Sequence, residues 1–166
     1  CGIEGARFAI LGGNLLDPGT ARALGLLTHL VSASEVKGKV SEISSAGKPD
    51  EKYTGRPADP SHPVAVFSAL FYSDSNMSDI SSGSVPDGFD PEDPNVARQI
   101  KALSRAAPLA LKTASHLLEQ AIVTGDNLSA GLQLELEQLE STFDSNDAVE
   151  GLSALIEGRR PEYSGS

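Results

Sequence analysis

Tryptophan is absent from this 166-residue chain, and its aromatic side chains are few, five Phe and three Tyr. That is a small supply of large apolar side chains for a core of this length. No apolar run approaches the roughly 18 residues of a membrane span. The first residues lack the basic and apolar segments of a signal peptide, and the chain does not begin with Met. We therefore expect a globular chain, either processed or a fragment of a longer protein.

Cysteine and basic residues are also scarce. Cys1 is the only cysteine, which excludes a disulfide within the chain and a Cys-rich zinc site, and favours a reducing cytoplasm. The 13 Lys and Arg are outnumbered by 23 Asp and Glu, for a net charge of −10. Such a surface repels phosphate backbones, so we expect neither nucleic acid nor a membrane as a partner. A local cluster of Arg or Lys can still bind a small anionic ligand.

Three segments differ in character. Residues 1–36 are apolar and compact, with helix signals at Asp17-Pro18 and a short strand-like run from Leu26 to Val31. Residues 37–93 are polar, hold most of the prolines and are typical of loops. Their one strong apolar run, from Val64 to Phe71, fits either a strand or a short buried helix. Residues 94–166 show helical spacing throughout, with breaks at Pro108, Gly125 and Gly158.

Two stretches resemble the enoyl-CoA hydratase/isomerase (crotonase) family. The first is residues 2–31, in which an apolar helix, a Gly12-Gly13 turn and an Ala-containing helix follow in the family's order. The second is residues 104–165, which is similar to the family's closing helices. The matching motifs there are Pro108-Leu109-Ala110 with Lys112, Glu135 to Glu140, Ser141-Thr142-Phe143, Asp147-Ala148-x-Glu150-Gly151 and Arg159-Arg160-Pro161-x-Tyr163. A long middle segment is similar to an archaeal type in which the crotonase domain follows a 3-hydroxyacyl-CoA dehydrogenase domain.

The resemblance implies an α+β crotonase-like (ClpP/crotonase) fold, of which this chain is mostly the C-terminal α-helical segment with a short strand. Residues 1–36 would end the crotonase core, 37–93 would be a polar insertion, and 94–166 would be a helical segment for oligomerisation and for covering CoA. The implied reaction is hydration or isomerisation of 2-enoyl-CoA in fatty-acid β-oxidation. The hydratase part needs no cofactor, and NAD enters only with a fused dehydrogenase domain. The implied assembly is a trimer or hexamer.

The family's catalytic glutamates and oxyanion donors lie upstream of the matching stretches, so no catalytic residue is assigned here. The resemblance places the CoA-binding positions at the end of the last helix, at Leu155, Gly158, Arg159 and Arg160. The family commonly has an aromatic residue and a lysine where this chain has Leu155 and Gly158. The two arginines can supply the missing positive charge, because a guanidinium binds phosphate well. Alternatively, they only complement the negative end of the helix dipole.

Other candidate residues have weaker patterns. His29, His62 and His116 lack the spacing of metal ligands, so no metal site is expected. Glu4 lies in the helix that follows the family's catalytic segment, and Lys112 fits a solvated helix lysine. Two alternatives stay open: another crotonase chemistry, such as thioester hydrolysis or decarboxylation, and a non-catalytic helical module that oligomerises through the apolar stripe from Leu128 to Phe143.

Overall fold

A computed structural model describes residues 1–27, 29–46, 59–125 and 127–166. Within these residues the regular structure consists of α-helices. They are α1 (Gly2–Ile10), α2 (Pro18–Ala23), α3 (Val36–Ala46), α4 (Pro63–Phe71), α5 (Met77–Ser82), α6 (Pro94–Leu103), α7 (Pro108–Thr124), α8 (Leu128–Phe143) and α9 (Asn146–Glu157). A 3₁₀ turn at Asp74–Asn76 leads into α5. None of the helices in the described ranges is long and apolar enough to cross a membrane.

Local capping fixes where several helices begin. Asp17 and Asp93 each accept hydrogen bonds from two backbone N–H groups of the first turn, and a proline follows each of them. Ser145 caps α9 by accepting from Ala148 N at 3.1 Å. Gly158 ends α9 in the left-handed region, at φ 68°. The start at Asp17-Pro18 and the end at Gly158 agree with the sequence-based predictions, because they depend only on neighbouring residues.

The predicted short strand is wrong. The described part of the run from Leu26 to Val31 has no strand, and Thr28 lies outside the described residues. A strand needs a partner for its backbone hydrogen bonds, and no strand occurs in the described part of the chain to supply one. Leu26 and Leu30 are about half exposed instead. The described part of the chain is therefore mostly helical, which fits the helical part of a crotonase-like domain but not the α+β pattern.

The middle segment is more ordered than its composition indicated. The loop predicted from residue 37 onward is helix α3 as far as Ala46. Residues 47–58, predicted as loop, lie outside the described residues. The apolar run from Val64 to Phe71, for which a strand and a short buried helix were both open, is helical. Helical spacing lets its aromatic residues Phe67 and Phe71 face the same side. Their rings stack at 5.2 Å between centroids.

The core is built around these aromatic rings. Phe8 of α1 meets Phe67 and Tyr72 edge to face, at 6.2 and 6.3 Å between centroids. Phe89, from the turn before α6, packs edge-on against Phe71 at 5.1 Å. Leu11, Leu24, Ile80, Val96 and Leu103 complete the buried cluster. Most of the few aromatic residues thus pack at or beside one interface, that between α1 and α4.

Arg7 is buried at this interface, with 3% of its surface exposed. Its guanidinium donates to the Tyr72 carbonyl oxygen at 3.0 Å and to the Asp74 carboxylate at 2.7 Å. Glu119 of α7 lies 3.9 Å away on the other side. The buried Nε has no hydrogen-bond partner within the described residues. A buried charge is costly unless it is paired, so these contacts tie α1 to the end of α4 and to α7.

A second buried network joins α1 to α6. Gln99, 2% exposed, accepts from the Tyr72 hydroxyl at 2.9 Å and from the Asn14 amide at 2.8 Å. Asn14 also donates to the Phe8 carbonyl oxygen at 2.7 Å. Burial raises the pKa of the Tyr72 hydroxyl well above its ordinary value, so the hydroxyl stays a donor. Gly12 lies directly against this network, and no side chain would fit there.

Gly12→Ala is expected to lower the free energy of unfolding by about 1–3 kcal/mol, because the added methyl group collides with the network. A Cβ at this position would lie 2.7 Å from the Phe8 carbonyl oxygen and even closer to the side-chain amides of Asn14 and Gln99. Urea unfolding followed by circular dichroism measures the change. Gly38→Ala is the matched control: it lies in α3 with open space around it, so it should be neutral or stabilising. Equal stability of the two variants would contradict the close packing at Gly12.

Candidate functional site

The four predicted CoA-binding positions lie together at the end of α9. Leu155 is 77% exposed on the last turn, Gly158 is the left-handed residue that ends the helix, and Arg159 and Arg160 follow it. Both arginines are exposed. The structure therefore brings the predicted residues to one accessible place, but their side chains have different surroundings.

Arg159 is held by carboxylates of its own chain. Its two terminal nitrogens donate to both oxygens of Glu150, at 2.5 and 2.9 Å, and Nε donates to Glu157 at 2.5 Å. A two-point contact of this kind is the strongest way in which a guanidinium binds a carboxylate. The whole guanidinium is therefore engaged, and Arg159 serves first to fix the chain as it leaves α9.

Glu150 also accepts from the backbone N–H of Glu162 at 2.7 Å, so it joins α9 to the tail that follows. The Arg159 hydrogen bonds, with help from the Glu162 N–H, lower the pKa of the Glu150 carboxyl from 4.5 to about 2. The same contacts, first with Glu150 and then with Glu157, raise the pKa of Arg159. This ion pair is thus formed over the whole neutral range.

A second anchor holds the tail further on. Asp147 of α9 is 3% exposed, and its carboxylate accepts from the backbone N–H groups of Ser164 and Gly165, at 2.8 and 3.0 Å. Its own N–H donates to the Ser166 carbonyl oxygen at 3.1 Å. The family-like Asp147-Ala148-x-Glu150-Gly151 motif therefore works here as a pair of clamps, which bind the segment from Arg159 to Ser166 back onto α9.

Arg160 faces a different environment. It lines a groove of about 500 Å³ that lies between the tail and the turn joining α6 to α7. The other lining residues are Ser104, Arg105, Ala106, Pro108, Pro161 and Tyr163. Sequence reasoning missed Arg105, because it lies far from Arg160 in the chain. Only its position beside Pro108, at the break between two predicted helices, marked it as a turn residue near the matching motif.

A larger groove of about 820 Å³ lies on the other side of the same turn. Its floor includes the buried side chains of Ile80 and Leu103, and its rim carries Lys112, His116 and Glu119 of α7. Lys112 and His116 share one helix face because they are four residues apart. Lys112 was predicted to be a solvated helix lysine, and in the structure it is exposed at the edge of this groove.

The remaining candidates are scattered. His62 caps α4 through Nδ1, which accepts from Val64 N at 3.3 Å, and His116 is the histidine on the groove rim. Glu4 lies in the first turn of α1. Within the described ranges, no three His, Cys, Asp or Glu side chains converge as metal ligands would.

Helices α8 and α9 carry apolar side chains that this chain does not cover. The large side chains involved are about half or more exposed: Leu128, Leu132, Leu136, Leu139 and Phe143 on α8, and Val149, Leu152, Leu155 and Ile156 on α9. The stripe that periodicity predicted as core or oligomer packing is therefore at the surface. An exposed apolar surface of this extent is typical of an interaction site.

Glu150→Gln is expected to destabilise the fold at neutral pH, because the amide cannot form the ion pair with Arg159. The folded-state pKa of about 2 lies below the unfolded value of 4.5, so the stabilisation is complete above pH 4.5 and is lost as the pH falls through about 2. The difference in unfolding midpoint between wild type and variant should therefore shrink on acidification. Carbon-13 NMR of the Glu150 carboxyl gives the titration directly. Glu140→Gln is the control, because Glu140 makes no ion pair within the described residues. A titration midpoint near pH 4.5 for the Glu150 carboxyl would refute the clamp.

Comparisons with known proteins agree with the family resemblance over part of the chain. No family model matches it, and no solved structure matches it. A stretch of 64 residues, or 39% of this chain, is 33% identical to "Probable enoyl-CoA hydratase 2, mitochondrial" of Arabidopsis thaliana. The match spans about a fifth of that relative's length, 21%. This similarity supports a relationship between the chain and the crotonase family.

Proposed function

We propose that this chain is the C-terminal part of a crotonase-family enzyme that hydrates or isomerises 2-enoyl-CoA thioesters in fatty-acid β-oxidation. The observation that carries the proposal is the 64-residue similarity to an enoyl-CoA hydratase. Two features of the structure support it. The chain is helical, as expected of that part of the domain, and the predicted CoA-binding positions are exposed together at the end of α9.

The contribution of this chain is binding rather than chemistry. Hydration of an enoyl-CoA needs donors for the developing enolate oxygen and a carboxylate that activates water. In the proposed arrangement these groups belong to the upstream part of the enzyme, and the end of α9 covers the CoA moiety. Leu155 offers an apolar contact and Arg160 a positive charge, while Arg159 positions the chain between them through Glu150.

Self-association through α8 and α9 is the second element of the proposal. The exposed leucines of α8 follow one another at steps of four and three residues, which makes one continuous stripe. Burying such a stripe against another subunit stabilises an assembly by roughly 25 cal/mol for each Å² of apolar surface removed from water. A trimer, or a hexamer made of two trimers, is the assembly that the family resemblance implies.

The long middle segment suggests a narrower form of the proposal, in which the enzyme is fused to a 3-hydroxyacyl-CoA dehydrogenase domain. NAD would then be the cofactor of that other domain, and the hydratase part would use only the CoA thioester as substrate. Helices α3 to α5, together with the turn to α6, make up the described part of this segment, which contributes Phe71 and Tyr72 to the core.

Titration calorimetry of the chain with CoA tests the proposed function. We expect binding without turnover: crotonyl-CoA should bind, but the absorbance of its conjugated double bond should not fall, because the catalytic groups lie elsewhere. Hydration should appear when the polypeptide that carries this segment in its native source is assayed. Acetyl-CoA hydrolysis and malonyl-CoA decarboxylation, assayed in parallel, test the other crotonase chemistries. Absence of CoA binding by the chain, or of hydration and isomerisation by the native polypeptide, would refute the proposal. Hydrolysis or decarboxylation in their place would identify one of the other crotonase chemistries.

Leu136→Glu is expected to shift the chain from an oligomer toward a monomer, because it places a charge in the middle of the exposed stripe, where Leu136 is 60% exposed. Light scattering coupled to size-exclusion chromatography measures the mass. Gln133→Lys adds a charge to an exposed position of α8 off the stripe, keeps a donor for Glu137 and should leave the mass unchanged. A wild-type chain that is monomeric at all concentrations would contradict self-association.

A non-catalytic oligomerisation module is the competing function, and the exposed stripe on α8 is the observation that favours it. The two proposals differ in one measurement. Self-association without any affinity for CoA would favour the oligomerisation module, whereas CoA binding would favour the crotonase-family enzyme.

A further inference from the structure

The groove between Arg105 and Arg160 has an unusual charge for this protein. The chain carries 23 acidic and 13 basic residues, yet none of the described residues that line this groove has a carboxylate. Within the described ranges, neither Arg105 nor Arg160 makes an ion pair. Two guanidinium groups that face one groove repel each other, and an anion between them removes that repulsion.

We propose that Arg105 and Arg160 form a binding site for a phosphoryl group. A guanidinium offers planar, paired donors that match the oxygens of a phosphate, and two of them from different directions can satisfy three of its oxygens. The Ser104 hydroxyl and the Tyr163 phenol line the same groove and supply neutral donors. The source of the group is either free phosphate or a phosphorylated ligand such as CoA. In the second case the inference rests on the proposed function and adds Arg105 to it.

The groove is held in shape before any ligand arrives. The backbone around Arg160 is anchored on one side by the Glu150 contacts with Arg159 and the Glu162 N–H, and on the other by the Asp147 contacts with Ser164 and Gly165. Fixed backbone on both sides lowers the entropy that binding would otherwise lose. These clamps give Glu150 and Asp147 a positioning role toward the site.

Arg105 has its own fixed backbone in the turn between α6 and α7. Its N–H donates to the Ala102 carbonyl oxygen at 3.2 Å, and the next N–H, of Ala106, donates to Leu103 at 3.2 Å. Leu103 is buried in the core, and α7 starts at Pro108, three residues after Arg105. Both arginines therefore project from backbone that is held by hydrogen bonds.

The test follows the Nε–H signals of Arg105 and Arg160 by nitrogen-15 NMR during titrations with inorganic phosphate, CoA and 3′-dephospho-CoA. We expect both arginine signals to shift with phosphate, and Arg105→Gln or Arg160→Gln to weaken binding about tenfold each. Arg98→Gln removes one charge from an exposed position on α6 outside the groove and should have little effect. Arg105→Lys, which keeps the charge but loses the paired donors, should recover part of the affinity.

Each outcome decides between the two proposals. Phosphate binding without CoA binding supports the groove and refutes the acyl-CoA function. Weaker binding of 3′-dephospho-CoA than of CoA identifies the 3′-phosphate as the group held, and equal binding identifies the diphosphate. CoA binding that is unchanged in both glutamine variants overturns the groove and leaves the acyl-CoA function intact. No shift of either arginine with any of the three ligands overturns the groove outright.

Discussion

The contact between α1 and α4 is the interaction on which the rest of the molecule depends. Phe8 inserts its ring among the aromatic side chains of α4, and the neighbouring Arg7 binds the carbonyl oxygen of Tyr72 where α4 ends. The apolar contact provides most of the favourable free energy, and the buried guanidinium allows only one register of the two helices. With few aromatic residues available, no second cluster of this kind stabilises the described part of the chain, so α6 and α7 are placed by their packing against this one.

The C-terminal helices show a different balance of interactions. Polar contacts of Glu150 and Asp147 hold the tail onto α9, while the large apolar side chains of α8 and α9 are mostly exposed. An isolated chain would gain little from this arrangement, because exposed apolar surface contributes nothing until it is covered. Such an arrangement suits a segment that works against other protein surfaces, and it connects the similarity to an enoyl-CoA hydratase with the exposed end of α9.

Local signals were predictable from the sequence, and contacts between distant residues were not. The helix start at Asp17-Pro18 and the helix end at Gly158 depend only on the adjoining backbone. The strand from Leu26 was wrong because pairing depends on a partner that the local pattern cannot reveal. Likewise, the position of Arg159 was predicted but its carboxylate partners were not, and the groove shared with Arg105 needed the tertiary structure.

The order of the helix contacts has a consequence for how the chain folds. Helices α7, α8 and α9 pack against their neighbours in sequence, so they can form as soon as they are synthesised or released from denaturant. The packing of α1 on α7 instead joins the N-terminal helix to a helix far along the chain, and it carries the entropy of closing a long loop. The C-terminal helices should therefore assemble first, with the docking of α1 as the slower step that completes the aromatic core.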